Sequence, residues 1–339
     1  MLARRYNAPM LRGTLAIVVL ASASVLAQSK YVVPRTPWGD PDLQGKWPGT
    51  AMMGVPLERP ASLGDKALLS DQEFAARAAQ AERQAAQDED AFVVPRSIPT
   101  AEAVLTGAGT GPPGHWGERG VPTRQTSLVV DPPNGRIPSM TPEGERRTAS
   151  IPASRYYDNS GAGVFNGPED LSVYDRCITR GLIGSMVAVG YNAGNEIVQG
   201  PGWVAIRNEM IHEARVISLD GRRHLSSAIR SYMGDSIGRW DDATLVVDTT
   251  NFNGTTGIGA NGRAIYHSDA LHVVERFTRV DADTIQYEAR IDDPKTWTRA
   301  FTIAFPLKRD PGYGMFEYAC HEGNYGLRNI LSASRASDR

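Results

Sequence analysis

The 339-residue chain carries 36 Lys and Arg against 38 Asp and Glu, which gives a formal net charge of −2. This balance, without a basic stripe that interleaves with aromatic residues, excludes the charge pattern of nucleic-acid-binding proteins. The 34 Gly and 22 Pro predict many turns, and the length allows one large β domain with additions or two modest domains.

The N-terminus has the pattern of a secretory signal peptide. Arg4 and Arg5 give the N-terminus a positive charge, and residues 15–26 form an apolar segment after it. We predict cleavage after Ala27. The apolar run is too short, and too rich in Ala and Ser, for a membrane span. We therefore expect residues 1–27 to be removed and the mature protein to be periplasmic or secreted, without a membrane anchor. The paired arginines leave the choice between general and twin-arginine export open.

The chain has two cysteines, Cys177 and Cys320. In an oxidising compartment two cysteines usually pair. The disulfide would span 320 − 177 = 143 residues, and chain-entropy models give such a loop about 4–5 kcal/mol of stabilisation as an upper figure. The alternative, two buried free thiols, remains open from the sequence.

Residues 28–155 read as an extended, Pro/Gly-rich N-terminal region with one helix. The spacing of Ser70 and Glu73 is that of a capping box, and it predicts a helix over 70–88. Residues 126–138, with an Asn-Gly pair between two apolar runs, predict a β-hairpin.

Residues 156–335 predict an antiparallel β-barrel domain, because short alternating strands follow one another with turn residues between them. The chain shows no alternation of strands and helices, so an α/β fold is excluded. The predicted strands are 185–190, 195–199, 203–207, 210–218, 237–240, 244–249, 271–280, 284–291 and 297–307. The fold class is thus mainly β, as an up-and-down barrel or a strongly curved sheet. A barrel of this kind commonly encloses a cavity for one small ligand.

Two resemblances support this prediction. The strand-turn-strand rhythm of Gly238–Thr250 and Val274–Tyr287 resembles the lipocalin-like (calycin) barrels. The segments EDLSVYDRC (169–177), MIHEAR (210–215) and ACHEGNY (319–325) are similar to those of an uncharacterised family of exported bacterial proteins. The second resemblance implies that the three segments lie together, and it implies no chemistry.

The first candidate site follows the second cysteine. His321 and Glu322 stand beside Asn324 and Tyr325, and a His near carboxylate and phenol groups can act as a general acid or base near neutral pH. Asn324 is a candidate substrate-binding residue and Tyr325 a candidate proton donor. The other interpretation is a barrel-closing loop whose polar groups bond to the backbone.

A second cluster precedes the first cysteine. Asp170, Tyr174 and Arg176 could bind an anionic group or hold a base in place, and a surface salt-bridge cluster is the alternative. In the polar strand that follows, period two puts either His212 or the row containing Arg207 in the barrel interior. We take both as candidate substrate-binding residues.

The other polar residues give weaker signals. His267, Asp269 and His272 meet no metal-ligand spacing rule, so no metal site is predicted. Asp248, at a strand end, could contact a ligand, and turn chemistry explains it equally well.

These features predict an exported barrel enzyme that performs acid–base chemistry on a small, largely apolar molecule, as a lyase, hydratase or isomerase. His321 would be the acid or base, Glu322 or Asp170 would orient it, Tyr174 would donate a proton, and Arg176 would stabilise an oxyanion. No organic cofactor is expected. The alternative is a non-catalytic periplasmic protein that binds a small ligand. Substrate identity and oligomeric state are not predicted.

Overall fold

The computed structural model describes residues 31–93, 117–118, 120, 122–152, 165–188, 190–259 and 265–337. The predicted signal peptide, residues 1–27, lies outside the described residues. In the described part of the chain, no helix is long and apolar enough to cross a membrane.

One ten-stranded sheet curls into a half-barrel. Its strands are β1 Gly45–Lys46, β2 Val129–Asp131, β3 Asn195–Gly200, β4 Trp203–Asn208, β5 Ala214–Ser218, β6 Asp235–Asp241, β7 Thr244–Thr250, β8 His272–Asp281, β9 Thr284–Asp292 and β10 Phe301–Lys308. Their spatial order is β1-β3-β4-β5-β6-β7-β8-β9-β10-β2, so the early strands β1 and β2 form the two edges. The prediction of a mainly β fold is confirmed.

The closed lipocalin-like barrel is not confirmed, because the sheet is mixed and open. β5 and β6 pair in parallel, through Ser218 and Ile237, while the other neighbours are antiparallel. The crossing segment, residues 219–234, returns the chain to the same end of the sheet before β6 begins, which breaks the up-and-down alternation. The edge strands β1 and β2 have too few residues to close the sheet on each other.

The inner face of the sheet carries the core. β8 and β9 form the clearest predicted hairpin, and its alternating residues Val273, Phe277, Ile285 and Tyr287 are all fully buried. The rings of Phe277, Tyr287 and Phe305 pack with centroids 5.0 and 4.8 Å apart, so aromatic side chains fill this side of the curl.

In the described ranges four helices accompany the sheet, where one was predicted. They are α1 Asp71–Val93, α2 Pro142–Ala149, α3 Leu182–Met186 and α4 Tyr325–Ser337, with short 3₁₀ turns at Gly49–Met52, Ala61–Leu63, Pro168–Asp170 and Met210–His212. The predicted capping box of α1 is confirmed: Ser70 N donates to Glu73 Oε2 (2.8 Å), and Glu73 N donates to Ser70 Oγ (3.4 Å). The hydrogen bond from Lys66, followed by those from the backbone N and the hydroxyl of Ser70, lowers the pKa of Glu73 to about 2.

One predicted strand is wrong, and a second begins later than predicted. Residues 185–190 belong partly to α3, a short, wholly buried helix, and a short apolar run does not by its pattern distinguish a buried strand from a buried helix. The predicted strand 210–218 begins only at Ala214, because Ile211 and His212 have positive φ (61° and 37°) and form a turn. Period two therefore fails there, and His212 lies on the surface instead of in a barrel interior.

The predicted hairpin at 126–138 is also wrong beyond its first strand. Gly135 has the positive φ (69°) that the predicted turn needs. However, its carbonyl accepts from Arg59 N, and the Arg59 side chain donates to Pro133 O (2.7 Å). In the predicted return strand, Ile137 N donates to Glu58 Oε1 (2.8 Å), and β2 pairs with β10 instead.

Candidate functional site

The predicted disulfide between Cys177 and Cys320 is confirmed, with Cα atoms 5.7 Å apart. It joins the segment before β3 to the segment between β10 and α4. Asn324 Nδ2 donates to Asp175 O (2.9 Å) and lies 3.4 Å from Cys177 Sγ. The two predicted clusters, residues 170–177 and 320–325, therefore meet at the disulfide. We call this region the disulfide seam.

Tyr174 forms the centre of a buried group beside the disulfide. It packs with Met210 and Ile211, and with Tyr191 and Tyr318. Burial, followed by the neighbouring tyrosines, raises the pKa of Tyr174 well above its usual value. Tyr174, Tyr191, Met210, Ile211 and Tyr318 thus form one packed cluster.

Arg180 lies next to these tyrosines and was not predicted. It is almost fully buried, and its Nη2 donates to Val187 O (2.9 Å). Burial lowers the pKa of Arg180 to about 10. Glu213 lies nearby, and burial raises its pKa even though Thr179 and Ser185 donate to it.

The remaining predicted site residues are spread over the surface. His321, Glu322 and His212 are exposed, and the Tyr325 residue is 70% exposed. The others have partners or are partly covered. Asp170 Oδ2 accepts from Asn166 N and Gly167 N, Arg207 pairs with Glu196 (2.8 Å), and Arg176 is half-buried. Their catalytic roles stay predictions, and none of these residues lines one of the cavities described below.

A cleft of about 710 Å³ lies on the outer face of the sheet, across β6, β7 and β8. Strand alternation places Asp248 and Val246 of β7 on this face, and the register sets Asp248 between Ile237 and Val274. The loop after β5 covers one end of the cleft with His224. Apolar walls and a few polar groups on one surface are typical of small-molecule sites.

Two imidazoles converge on one carboxylate in this cleft. Nε2 of His272 is 3.0 Å from both oxygens of Asp248, and Nε2 of His224 is 2.9 Å from Asp248 Oδ1. The other nitrogen of His224, Nδ1, is 3.1 Å from Asp235 Oδ2. Among the described residues, no hydrogen-bond partner is found for Nδ1 of His272.

Arg222 holds Asp235, the carboxylate at the end of this hydrogen-bonded series that is farthest from His272. Its guanidinium donates to both oxygens of Asp235, at 3.0 and 2.6 Å. That bond is the main reason why the pKa of Asp235 is lowered to about 2, and the same bond raises the pKa of Arg222. Asp235 therefore stays ionised and anchors His224, which in turn contacts Asp248.

The donor set does not form a metal site. Within the ranges that the structure describes, no group of three or more His, Cys, Asp or Glu side chains is arranged to hold a metal ion. His267 lies elsewhere and is fully buried, with Nε2 2.7 Å from Thr256 Oγ1 and Nδ1 2.8 Å from Ser268 O. Burial lowers the pKa of His267, so it is a neutral core residue.

The cleft can position an acid–base group. A carboxylate that accepts the proton of one ring nitrogen holds the imidazole in one tautomer and leaves the other nitrogen free to take a proton. His272 and Asp248 have this arrangement. Sequence reasoning considered both residues and did not connect them. The alternation of side chains along β7 and β8 places Asp248 and His272 on the same face of the sheet. The hairpin pattern in the sequence therefore contained part of the information that connects these two residues.

Comparison with known proteins gives no relative: no protein-family model, no curated protein and no solved structure matches the chain significantly.

Proposed function

We propose that the protein is an exported enzyme that performs cofactor-independent acid–base chemistry, of the lyase, hydratase or isomerase type, on a small, largely apolar molecule. In this proposal the outer cleft, not the disulfide seam, is the place of the chemistry. One observation carries it: His272 Nε2 bonds to both oxygens of Asp248 at 3.0 Å in a cleft of about 710 Å³. Cavities of about 300–1,000 Å³ are the usual size for small ligands.

His272 is the proposed base. We assign its proton to Nε2, which donates to Asp248, so that the lone pair of Nδ1 faces a substrate. Nδ1 takes a proton from the substrate, Asp248 stabilises the imidazolium, and the same proton is returned to another substrate atom or to a leaving group. A positioned base of this kind typically contributes about 10²–10⁴ to the rate.

Arg239 is the group that we propose stabilises the negative charge that develops on the substrate. It lines the cleft on β6, is exposed, and has no ion-pair or hydrogen-bond partner among the described residues. A free guanidinium can bind an oxyanion or a carboxylate with two parallel hydrogen bonds. The side chains of Ile237, Val246 and Val274 would hold the apolar part of the molecule.

A non-catalytic periplasmic protein that binds a small ligand is the second candidate. The side chains of His272 and Asp248 are 39% and 41% exposed, and catalytic sites usually exclude water more completely. Both candidate functions, the enzyme and the ligand-binding protein, are proposed for an exported protein. The disulfide supports it, because such bonds persist in oxidising compartments.

Deuterium exchange tests the enzyme proposal without knowledge of the substrate. The full-length protein is incubated in D₂O with a panel of small aldehydes, ketones and carboxylates, and loss of C–H signals is followed by proton NMR. We expect exchange in at least one compound, and a rate lower by at least about 100-fold in His272→Ala and at least about tenfold in Asp248→Asn. Exchange at an unchanged rate in His272→Ala would contradict the assignment. Binding of a panel compound without exchange would favour the second candidate.

A further inference from the structure

A second cavity, of about 370 Å³, shares no lining residue with the outer cleft. Its wall is largely apolar and contains two methionines, whose flexible side chains adapt to ligands of different shape. The main apolar side chains are those of Met52, Met53, Val55, Leu57, Leu128 and Val187. Of the described residues in its lining, Glu118 alone is charged.

Glu118 is held firmly in place. Its backbone N donates to Gly190 O (2.7 Å), and its Oε1 accepts from Ala193 N (3.2 Å) and from the hydroxyl of Tyr313 (2.7 Å). The second oxygen, Oε2, is buried and has no hydrogen-bond partner among the residues that the structure describes. A buried acceptor without a partner costs about 1–3 kcal/mol, and more when it is charged.

A neighbouring carboxylate increases the need for a donor. Tyr313 OH is also 2.7 Å from Glu209 Oε2, but a phenol has one proton and can donate to only one of the two carboxylates at a time. Glu209 has other donors, namely Asn192 Nδ2, Gly194 N and Phe316 N. Glu118 is therefore the carboxylate with fewer donors, and none of the described residues that line its cavity is basic.

We propose that this cavity binds a small organic ammonium ion, with its charged head on Oε2 of Glu118 and its apolar body against the methionines and leucines. The ammonium supplies the missing donor and balances the negative charge of the Glu118–Glu209 pair. The apolar wall accounts for the rest of the ligand. This site is independent of the acid–base chemistry proposed for the outer cleft.

The test is calorimetric titration of the full-length protein with three probes of equal length: hexylammonium, hexanol and hexanoate. We expect hexylammonium to bind at least about tenfold more tightly than hexanol, because an ionised partner roughly doubles the strength of a hydrogen bond, and hexanoate not to bind. In Glu118→Gln the affinity for hexylammonium falls at least about tenfold, and that for hexanol changes by less than about threefold.

Two further variants make the result independent of whether Glu118→Gln folds. Met53→Trp fills the cavity and is expected to abolish binding of both hexylammonium and hexanol, whereas His272→Ala in the outer cleft is expected to bind both as the wild type does. The proposal is overturned if the wild type does not prefer hexylammonium to hexanol, if Met53→Trp leaves hexylammonium binding intact, or if a folded Glu118→Gln binds it unchanged.

Discussion

Arg215 and Glu275 form an ion pair in the core of the half-barrel. The two side chains are 5% and 0% exposed, and their two hydrogen bonds are both 2.6 Å long. Tyr287 OH donates to the same carboxylate at 2.9 Å. Such a pair adds little net stability over a well-packed apolar core, yet removal of one partner leaves a buried charge without compensation.

We therefore expect Glu275→Gln to lower the free energy of unfolding by about 3–5 kcal/mol, because Arg215 remains buried and charged. Tyr287→Phe removes only one hydrogen bond and should cost about 1–2 kcal/mol. Urea denaturation measures both. The double variant Arg215→Met/Glu275→Leu is the control, and it should lose less than Glu275→Gln. A loss below about 1 kcal/mol in Glu275→Gln would show that the pair is not buried as described.

Asp235 gives a pH-dependent contribution to stability. Arg222 lowers the pKa of this carboxyl from 3.8 to about 2. A lowered pKa in the folded state stabilises the protein above the pKa of the unfolded chain, and this contribution is lost as the pH falls through the folded value. Between about pH 4 and pH 2, the unfolding free energy of the wild type should fall by about 2 kcal/mol more than that of Asp235→Asn. Parallel pH profiles for the two proteins would contradict this.

Regular elements with strict alternation were predictable, and elements set by tertiary contacts were not. The hairpins β6–β7 and β8–β9 follow directly from period two and from their turn residues. The turn at Ile211 is different, because a β-branched residue at φ 61° has no local signal and must be imposed by its surroundings. The helical end of the chain, α4, was missed because 319–325 was interpreted as the closure of a barrel.

Helix α2 contains a glycine whose role is close packing. A Cβ on Gly144 would lie 2.5 Å from the backbone oxygen of Thr296, whereas at Gly326 in α4 the nearest atom is 3.7 Å away. In an open helix, Gly→Ala stabilises by up to about 1 kcal/mol. We expect Gly326→Ala to be neutral or mildly stabilising, and Gly144→Ala to destabilise by about 1–3 kcal/mol because α2 must move from Thr296. Thermal unfolding of the two variants tests this, and equal shifts would contradict it.

The described residues between 33 and 337 form a curled, mixed sheet with its helices, and the edge strands come from the early part of the chain. The disulfide ties the segment before β3 to the segment between β10 and α4, across 143 residues. The double variant Cys177→Ser/Cys320→Ser should lose about 2–5 kcal/mol of unfolding free energy, as measured in guanidinium chloride. Because the outer cleft contains neither cysteine, deuterium exchange by the folded variant should stay near the wild-type rate. If the double variant folds but no longer catalyses deuterium exchange, the catalytic site would instead lie at the disulfide seam.

The candidate site illustrates what one sequence can and cannot give. The pairing of Cys177 with Cys320 was predicted from the presence of two cysteines and from the expected export of the protein. This pairing correctly implied that Asn324 lies close to Cys177. The cleft depends on the register of three strands and on His224, which reaches Asp248 from the loop over 219–234. No local pattern fixes the position of such a loop, so this convergence becomes visible only in three dimensions.

The central claim is that His272, held by Asp248, is the acid–base group of this protein. The most direct measurement compares deuterium exchange, on the panel compound that the wild type turns over, in His272→Ala and in the surface variant His321→Ala. The account predicts a loss of at least about 100-fold in His272→Ala and a rate within about twofold of the wild type in His321→Ala. The opposite result, with loss in His321→Ala and retention in His272→Ala, would contradict it and would place the chemistry at the disulfide seam.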